Sequence, residues 1–181
     1  MNQWWKTLLT KQKTVWQKAH SNPVEWPKLA SKERAESVAY FTEFLADKGV
    51  VNGNAVDVGC GQGRNAIFLA QKGFEVYAFD YVNSAIEETA KRAAEKKVNL
   101  HLSLNAIDAP WPFSTDFFDI VVDSFSSIDV ETIEGRKKYL SELQRTLKPG
   151  GFALVAVVSA EDEFEKEMME KSPGKENRLS S

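Results

Sequence analysis

Asn54-Ala-Val-Asp-Val-Gly-Cys-Gly-Gln-Gly-Arg-Asn-Ala-Ile-Phe-Leu-Ala70 is the stretch whose reading decides the fold. Ala55–Val58 reads as a buried strand, Gly59, Gly61 and Gly63 as a tight turn, and the apolar positions after it as one face of a helix. A turn of this kind lets a carboxylate or phosphate approach the main chain at the positive end of a helix. The spacing narrows the ligand. A dinucleotide fingerprint, G-x-G-x-x-G, requires glycine where Arg64 or Ala66 stands, and a P-loop requires a Gly-Lys-Ser/Thr ending that is missing. A nicotinamide-dependent oxidoreductase, a third reading, fails on this glycine spacing.

Working outward from the turn, strand-like and helix-like segments alternate. Ser31 is placed to cap a helix carrying Val38, Phe41 and Leu45, with Gly49 as a left-handed stop. A helix over 65–72 ends at Gly73, and a second strand, Phe74–Phe79, terminates in Asp80. Ser84-x-x-Glu87 reads as a capping box opening a helix with Ile86, Ala90, Ala93 and Ala94 inward. Val98–Leu104, with Leu100, Leu102 and Leu104 on one side, predicts a third strand, and Phe118–Val122 a fourth. Leu140, Leu143 and Leu147 form a helical stripe ended by Lys148-Pro149-Gly150-Gly151, and Phe152–Val158 reads as a fifth strand buried on both faces. The expected fold is α/β: a Rossmann-like, doubly wound, mostly parallel sheet with helices on both faces. Ligands on such sheets bind beyond the carboxyl ends of the strands, where the turn, Asp80, the Asn105–Asp108 segment and Asp123 all fall.

Asp57-x-Gly59-x-Gly61-x-Gly63, followed by Asp80 at the end of the next strand, closely resembles motif I of class I S-adenosylmethionine-dependent methyltransferases. Trp111-Pro112-Phe113, the Phe118-Asp119 pair and Gly150-Gly151 resemble later family elements, so that the resemblance covers residues 31–159. It implies S-adenosylmethionine as cofactor and S-adenosylhomocysteine as product. By that resemblance, backbone N–H groups of Gly59, Cys60 and Gly61 meet the methionine carboxylate, and Asp57 faces the ammonium or else braces the turn. Cys60 reads as a small buried filler rather than a nucleophile. Asp80 is placed to accept both ribose hydroxyls, since a carboxylate matches a vicinal diol, and Tyr81 to lie against the adenine. The family's acid at the end of strand three has no single counterpart: Asn105 fits by strand length, Asp108 is the nearest carboxylate, and the Ala106 N–H is a donor to the ring. A narrower likeness points to stand-alone enzymes of the thiopurine and tellurite-resistance type.

Methyl transfer from a sulfonium mainly demands alignment and exclusion of water. A base is needed only for a protonated acceptor. Asp123 and Asp129 are the nearest acids, and His20 is the imidazole placed near the opening, while His101 reads as structural. The sequence after strand four is Asp123-Ser124-Phe125-Ser126, without the Asn/Asp-Pro-Pro-aromatic motif of nucleic-acid amino-group methyltransferases. A Pro-Cys pair for cytosine carbon methylation is missing too. The expectation is an enzyme acting on a small molecule. The competing reading is an inactive, cofactor-binding relative that serves as a partner or regulatory subunit.

Composition sets the remaining bounds. The chain has 181 residues, 43% hydrophobic and 27% charged, with a net charge of -3 that gives no bulk attraction to nucleic acid. Cys60 as the single cysteine, and the lysines that interrupt residues 1–18, suggest a reducing, cytoplasmic setting without a signal peptide or membrane span. Residues 1–30, rich in tryptophan (Trp4, Trp5, Trp16, Trp26) and broken by Pro23 and Pro27, read as an N-terminal cap. Residues 31–160 read as the methyltransferase-like domain, and 161–181 as an acidic helix and polar tail. The family's C-terminal β-hairpin beside strand five is not visible in that tail. An apolar strand-five edge is then expected to need cover, for instance in a homodimer.

Overall fold

The computed structural model describes residue 14, residues 16–20 and residues 31–157. Four helices and five strands form its frame: α1 (Glu36–Asp47), β1 (Gly53–Val58), α2 (Arg64–Gln71), β2 (Phe74–Asp80), α3 (Asn83–Lys96), β3 (His101–Leu104), β4 (Phe118–Ser124), α4 (Ile133–Thr146) and β5 (Leu147–Ala156). A short 3₁₀ turn at Ser127–Asp129 follows β4, and residues 16–20 are helical. The sheet order is β3-β2-β1-β4-β5, with every pair parallel. Strand order reverses between β1 and β4, and this is where an open α/β sheet leaves a crevice.

Alternation along the central strands sends side chains to two separate cores. Ala55, Val76, Ala78, Ile120 and Val122 pack with Val38, Phe41 and Leu45 of α1 and Ala66 and Leu69 of α2. Val56, Val58, Phe79, Phe118 and Val121 pack on the opposite face with Trp111, Val130 and Tyr139. A sheet covered on both faces explains why β1, β2 and β4 read as near-continuous apolar runs.

Several local expectations are corrected. Ser31 does not cap α1; its Oγ accepts from the Glu33 N–H, and the N-cap residue is Ala35. Gly49 does stop that helix, at φ 79. The buried face of α3 is Ala85, Thr89, Arg92 and Ala93, so Ala90 and Ala94 point to solvent. Arg92 occupies this inner face because its guanidinium finds partners there, which no hydropathy pattern registers. β3 is shorter than expected: His101 opens it, stacked on Tyr77, and Leu104 is exposed. In α4 Gly135, Tyr139 and Thr146 are buried, whereas Leu140 is exposed. β5 lies at the sheet margin and is only partly buried, with Val155 43% exposed, so burial on both faces does not hold. Residues 158–181, including the expected acidic helix and the question of the hairpin, lie outside the described residues, as do Trp4, Trp5 and Trp26.

Candidate functional site

The glycine turn closes β1 against β2 and the loop after β4. Gly59, Gly61 and Gly63 have φ of 62, 54 and 79, a region costly for side chains bearing a Cβ. A Cβ on Gly59 would overlap the side chain of Ser126, whose Oγ donates to the carbonyls of Val58 (2.9 Å) and Gly59 (3.1 Å). One on Gly63 would strike Thr89, whose hydroxyl donates to the Gly61 carbonyl at 2.9 Å. The turn is further fixed by its own amides. Cys60 N–H donates to the Phe79 carbonyl at 2.9 Å, and Gly61 N–H to Asp80 Oδ2 at 2.9 Å. Of the three amides expected at a ligand carboxylate, those of Cys60 and Gly61 are thus engaged within the protein. Cys60 is buried, and burial pushes its thiol well up, away from nucleophilic character.

Asp57 and Asp80 each do structural work beside the turn. Asp57, 2% exposed, accepts from the Ala66 N–H at 3.0 Å and so caps α2 from the preceding strand. Burial pushes its carboxyl up to about 7, opposed by the Ala66 hydrogen bond and the nearby charge of Arg64. Asp80 accepts from the Val82 N–H at 2.8 Å through Oδ1 and from Gly61 through Oδ2; burial again raises it, against those two amides and His20. The Ser84–Glu87 capping box is not formed: Glu87 accepts from Asn83 at 2.6 Å, and Ser84 Oγ is buried without a partner. Asp80 instead accepts from the N–H of Val82, the residue at which α3 begins, and its carboxyl retains acceptor capacity for a further donor.

Beyond β3, Asn105 N–H donates to the Asp80 carbonyl at 3.0 Å, and its side-chain amide to the Pro110 carbonyl at 3.1 Å. The Ala106 carbonyl accepts from the Ala109 N–H at 3.2 Å. Asp108 points at the first turn of α4, where its Oδ2 would lie 3.3 Å from a Cβ on Gly135. Tyr81 is half-buried, its hydroxyl held up by burial and by the charges of Asp80, Asp129 and Asp108. Of the four expected adenine contacts, Asn105 thus stands beside Asp80, whereas Asp108 is directed at α4.

The expected base Asp123 is corrected by its surroundings. It is 0% exposed, accepts from the Ser126 N–H (2.8 Å) and Ser127 N–H (3.3 Å), and receives the Tyr139 hydroxyl at 2.7 Å. Its task is to hold the β4 loop to α4. In that loop Phe125 takes φ 72, a strained conformation for an aromatic residue, and is 37% exposed. His20, in contrast, lies over Gly61, with its Cε1 3.4 Å from where a Cβ would stand. Burial lowers its pKa, against the raising influence of Asp80, so the ring is neutral at neutral pH.

His20, Ser31, Asp57, Gly59, Cys60, Gly61, Arg64, Asn65 and Ser124 line a recess of about 470 Å³, open mouth included, at the carboxyl ends of β1 and β4. Two buried polar atoms there, His20 Nδ1 and Ser124 Oγ, have no hydrogen-bond partner. Arg64, Asn65, Ser31 and Ser124 were not anticipated. The one available signal was the polar pair Arg64-Asn65 interrupting an otherwise apolar helix start. Asn65 accepts from the Ala35 N–H at 2.8 Å, drawing the segment before α1 over the recess. Among the described residues no cluster of metal-ligating side chains occurs, and no helix is long and apolar enough to cross a membrane.

A family model described as a methyltransferase domain matches residues 55–151. A ubiquinone biosynthesis O-methyltransferase of Rickettsia canadensis is 30% identical over 105 residues, covering 58% of this chain and 42% of that protein. A 2-heptyl-1-hydroxyquinolin-4(1H)-one methyltransferase of Mycobacteroides abscessus is 30% identical over 116 residues, covering 62% of this chain and 49% of that one. The chain thus spans less than half the length of these relatives. In fold it is similar to a putative S-adenosylmethionine-dependent methyltransferase of Methanococcus maripaludis, with a TM-score of 0.63 at 20% identity over 89% of this chain and 72% of that one.

Proposed function

Because the chain belongs to the methyltransferase-domain family and has the Rossmann-like fold of its class I members, we propose that it transfers a methyl group from S-adenosylmethionine to a small-molecule acceptor. The observation that carries this reading is the recess at the β1–β4 switch point, where Asp57, Arg64 and two orphaned polar atoms meet beside the glycine turn. A zwitterionic amino-acid group fits such a lining. The carboxylate of Asp80, with lone pairs left over, is the matching acceptor for a ribose diol on the neighbouring strand. When bound, S-adenosylmethionine supplies an activated methyl on a sulfonium.

The chain's own contribution is alignment and proton handling. The glycine turn, pinned by Phe79, Asp80, Thr89 and Ser126, is a rigid floor that needs little reorganisation on binding. Where an acceptor must lose a proton, that role falls to His20, the imidazole that lines the recess and stands over Gly61. Thiols, amines and oxyanions suit so sparse a set of bases. The printed activities of the two relatives, both small-molecule methyltransferases, support the same substrate class, and the thiopurine and tellurite-resistance likeness stays within it.

Calorimetric titration with S-adenosylhomocysteine tests the cofactor half, and product detection over a panel of thiols, phenols and amines tests the acceptor half. Absence of heat and of a melting shift ends the reading. The sealing of Asp123 favours one competitor, a cofactor-binding but inactive partner protein, which predicts binding without product. We further propose a soluble cytoplasmic setting without nucleic-acid or membrane partners, and a homodimer joined through the β5 margin.

A further inference from the structure

α4 carries an apolar stripe on the side turned away from the sheet. Gly135, Tyr139 and Thr146 are its buried residues, whereas Ile133, Lys137, Leu140 and Gln144, spaced so that they follow one line along the opposite side, are all exposed. Ile133 is 65% and Leu140 58% exposed, and Ile128, in the turn leading into the helix, is 41% exposed. Single exposed aliphatic residues are ordinary on a protein surface; two on one helical line, with a third in the turn before it, form a surface that calls for cover. The charge around the stripe is basic. Arg136, Lys137 and Lys138, all exposed, outweigh Glu134, the one acid of residues 133–141.

We propose that residues 161–170 of the same chain dock on this stripe. That segment holds six acids, Glu161, Asp162, Glu163, Glu165, Glu167 and Glu170, against Lys166 alone. Its apolar Phe164 and Met168 stand four apart, the spacing that puts both on one face of a helix. An acidic segment with one apolar face matches a basic surface with an apolar line, Phe164 and Met168 meeting Ile133 and Leu140. The chain also leaves the sheet in the right place. Ala156, the last residue of β5, accepts from the N–H of Phe125, in the loop that runs from β4 through Ser127–Asp129 into α4. Phe164 is seven residues past Val157, a reach of about 23 Å when extended, about twice the width of a helix. Tyr139, on the inner side of α4, donates to Asp123 at 2.7 Å and so fastens the β4 loop beside the recess. Docking on the outer side holds the helix on which that fastening depends, and links the acidic segment to the wall of the site.

Zero-length carbodiimide coupling, which joins a lysine to a carboxylate only where the two touch, tests this in the full chain, with the coupled peptides identified by mass spectrometry. Lys32 and Glu95, 3.9 Å apart and both exposed, are the internal control for reaction and fold. Lys137 or Lys138 is expected to couple to acids of residues 161–170 within the monomer band. Leu140→Asp and Phe164→Ser are each expected to lower that yield at least about threefold while the control pair is unchanged. Leu140 is exposed, so its replacement leaves the fold intact. Coupling that is missing while the control pair forms overturns the proposal. Coupling found in a dimer band only overturns it as well, and names a second copy as the occupant. Yields unmoved by both substitutions overturn it too.

Discussion

Asp57 is a carboxyl group made to serve two ends, a helix cap and a recess wall, and its ionisation should be visible in stability. Its folded-state pKa is about 7 against 3.8 for the free side chain, so between those values the native state holds a proton that the unfolded chain has released. Stability attributable to Asp57 is therefore greatest in acid and falls as pH rises from about 4 to about 7. The full shift sets an upper bound of about 4 kcal/mol. Asp57→Asn, which keeps an acceptor for the Ala66 N–H, is expected to remove that slope; thermal melts of both chains at pH 5 and pH 8 measure it as a difference, which subtracts the opposing contribution of His20. Asp80→Ala has two expected consequences. It removes the proposed diol acceptor, and it strands the buried N–H groups of Gly61 and Val82, each at about 1–3 kcal/mol. Loss of nucleoside affinity with an unchanged melting temperature would contradict the second. From sequence, Asp57 and Asp80 were legible because their positions follow from strand ends and glycine spacing. Asp123 misled for the same reason: a strand end gives position, whereas burial and the Tyr139 hydroxyl, which comes from a helix 16 residues on, decide availability.

At the scale of elements, periodicity located all five strands and the helices between them, and failed where a face is set by polar partners. Arg92 and Thr89 hold the inner side of α3 because the turn offers them Gln62 and the Gly61 carbonyl. The glycine turn and α3 thus form one unit, and Gly63→Ala is expected to damage both, since a methyl there meets Thr89 and must adopt φ 79. A loss of at least about 1–2 kcal/mol is expected from the backbone alone, measured by urea unfolding. The segment before β4 depends on a pair that the sequence pattern did not flag. Arg145 donates to the carbonyls of Phe113 (2.7 Å) and Trp111 (3.1 Å), while Glu142 accepts from the Trp111 N–H at 2.7 Å. Arg145→Met is expected to loosen Trp111 from α4 and lower the near-ultraviolet circular dichroism of its indole, with helix content retained.

For the molecule as a whole, strand alternation and the right-handed crossover rule were enough to predict a parallel, doubly covered sheet, and the order β3-β2-β1-β4-β5 places the recess at its switch point. Sequence could not grade burial along β5, because an apolar strand reads alike at a sheet's centre and at its margin. Among the described residues β5 pairs with β4 alone, and Val155 and Val157 are exposed. If two copies join there, sedimentation velocity shows concentration-dependent dimers that Val155→Lys disperses; a monomer at every concentration removes the dimer. Arg92 reaches both the Ser31 carbonyl and Gln62 of the turn, so one guanidinium tethers the segment leading into α1 to the floor of the recess. Occupying the floor should tighten the tether: trypsin, offered Lys32 and Arg34 beside it, is expected to cut there more slowly once the ligand is seated, a protection that Arg92→Met abolishes.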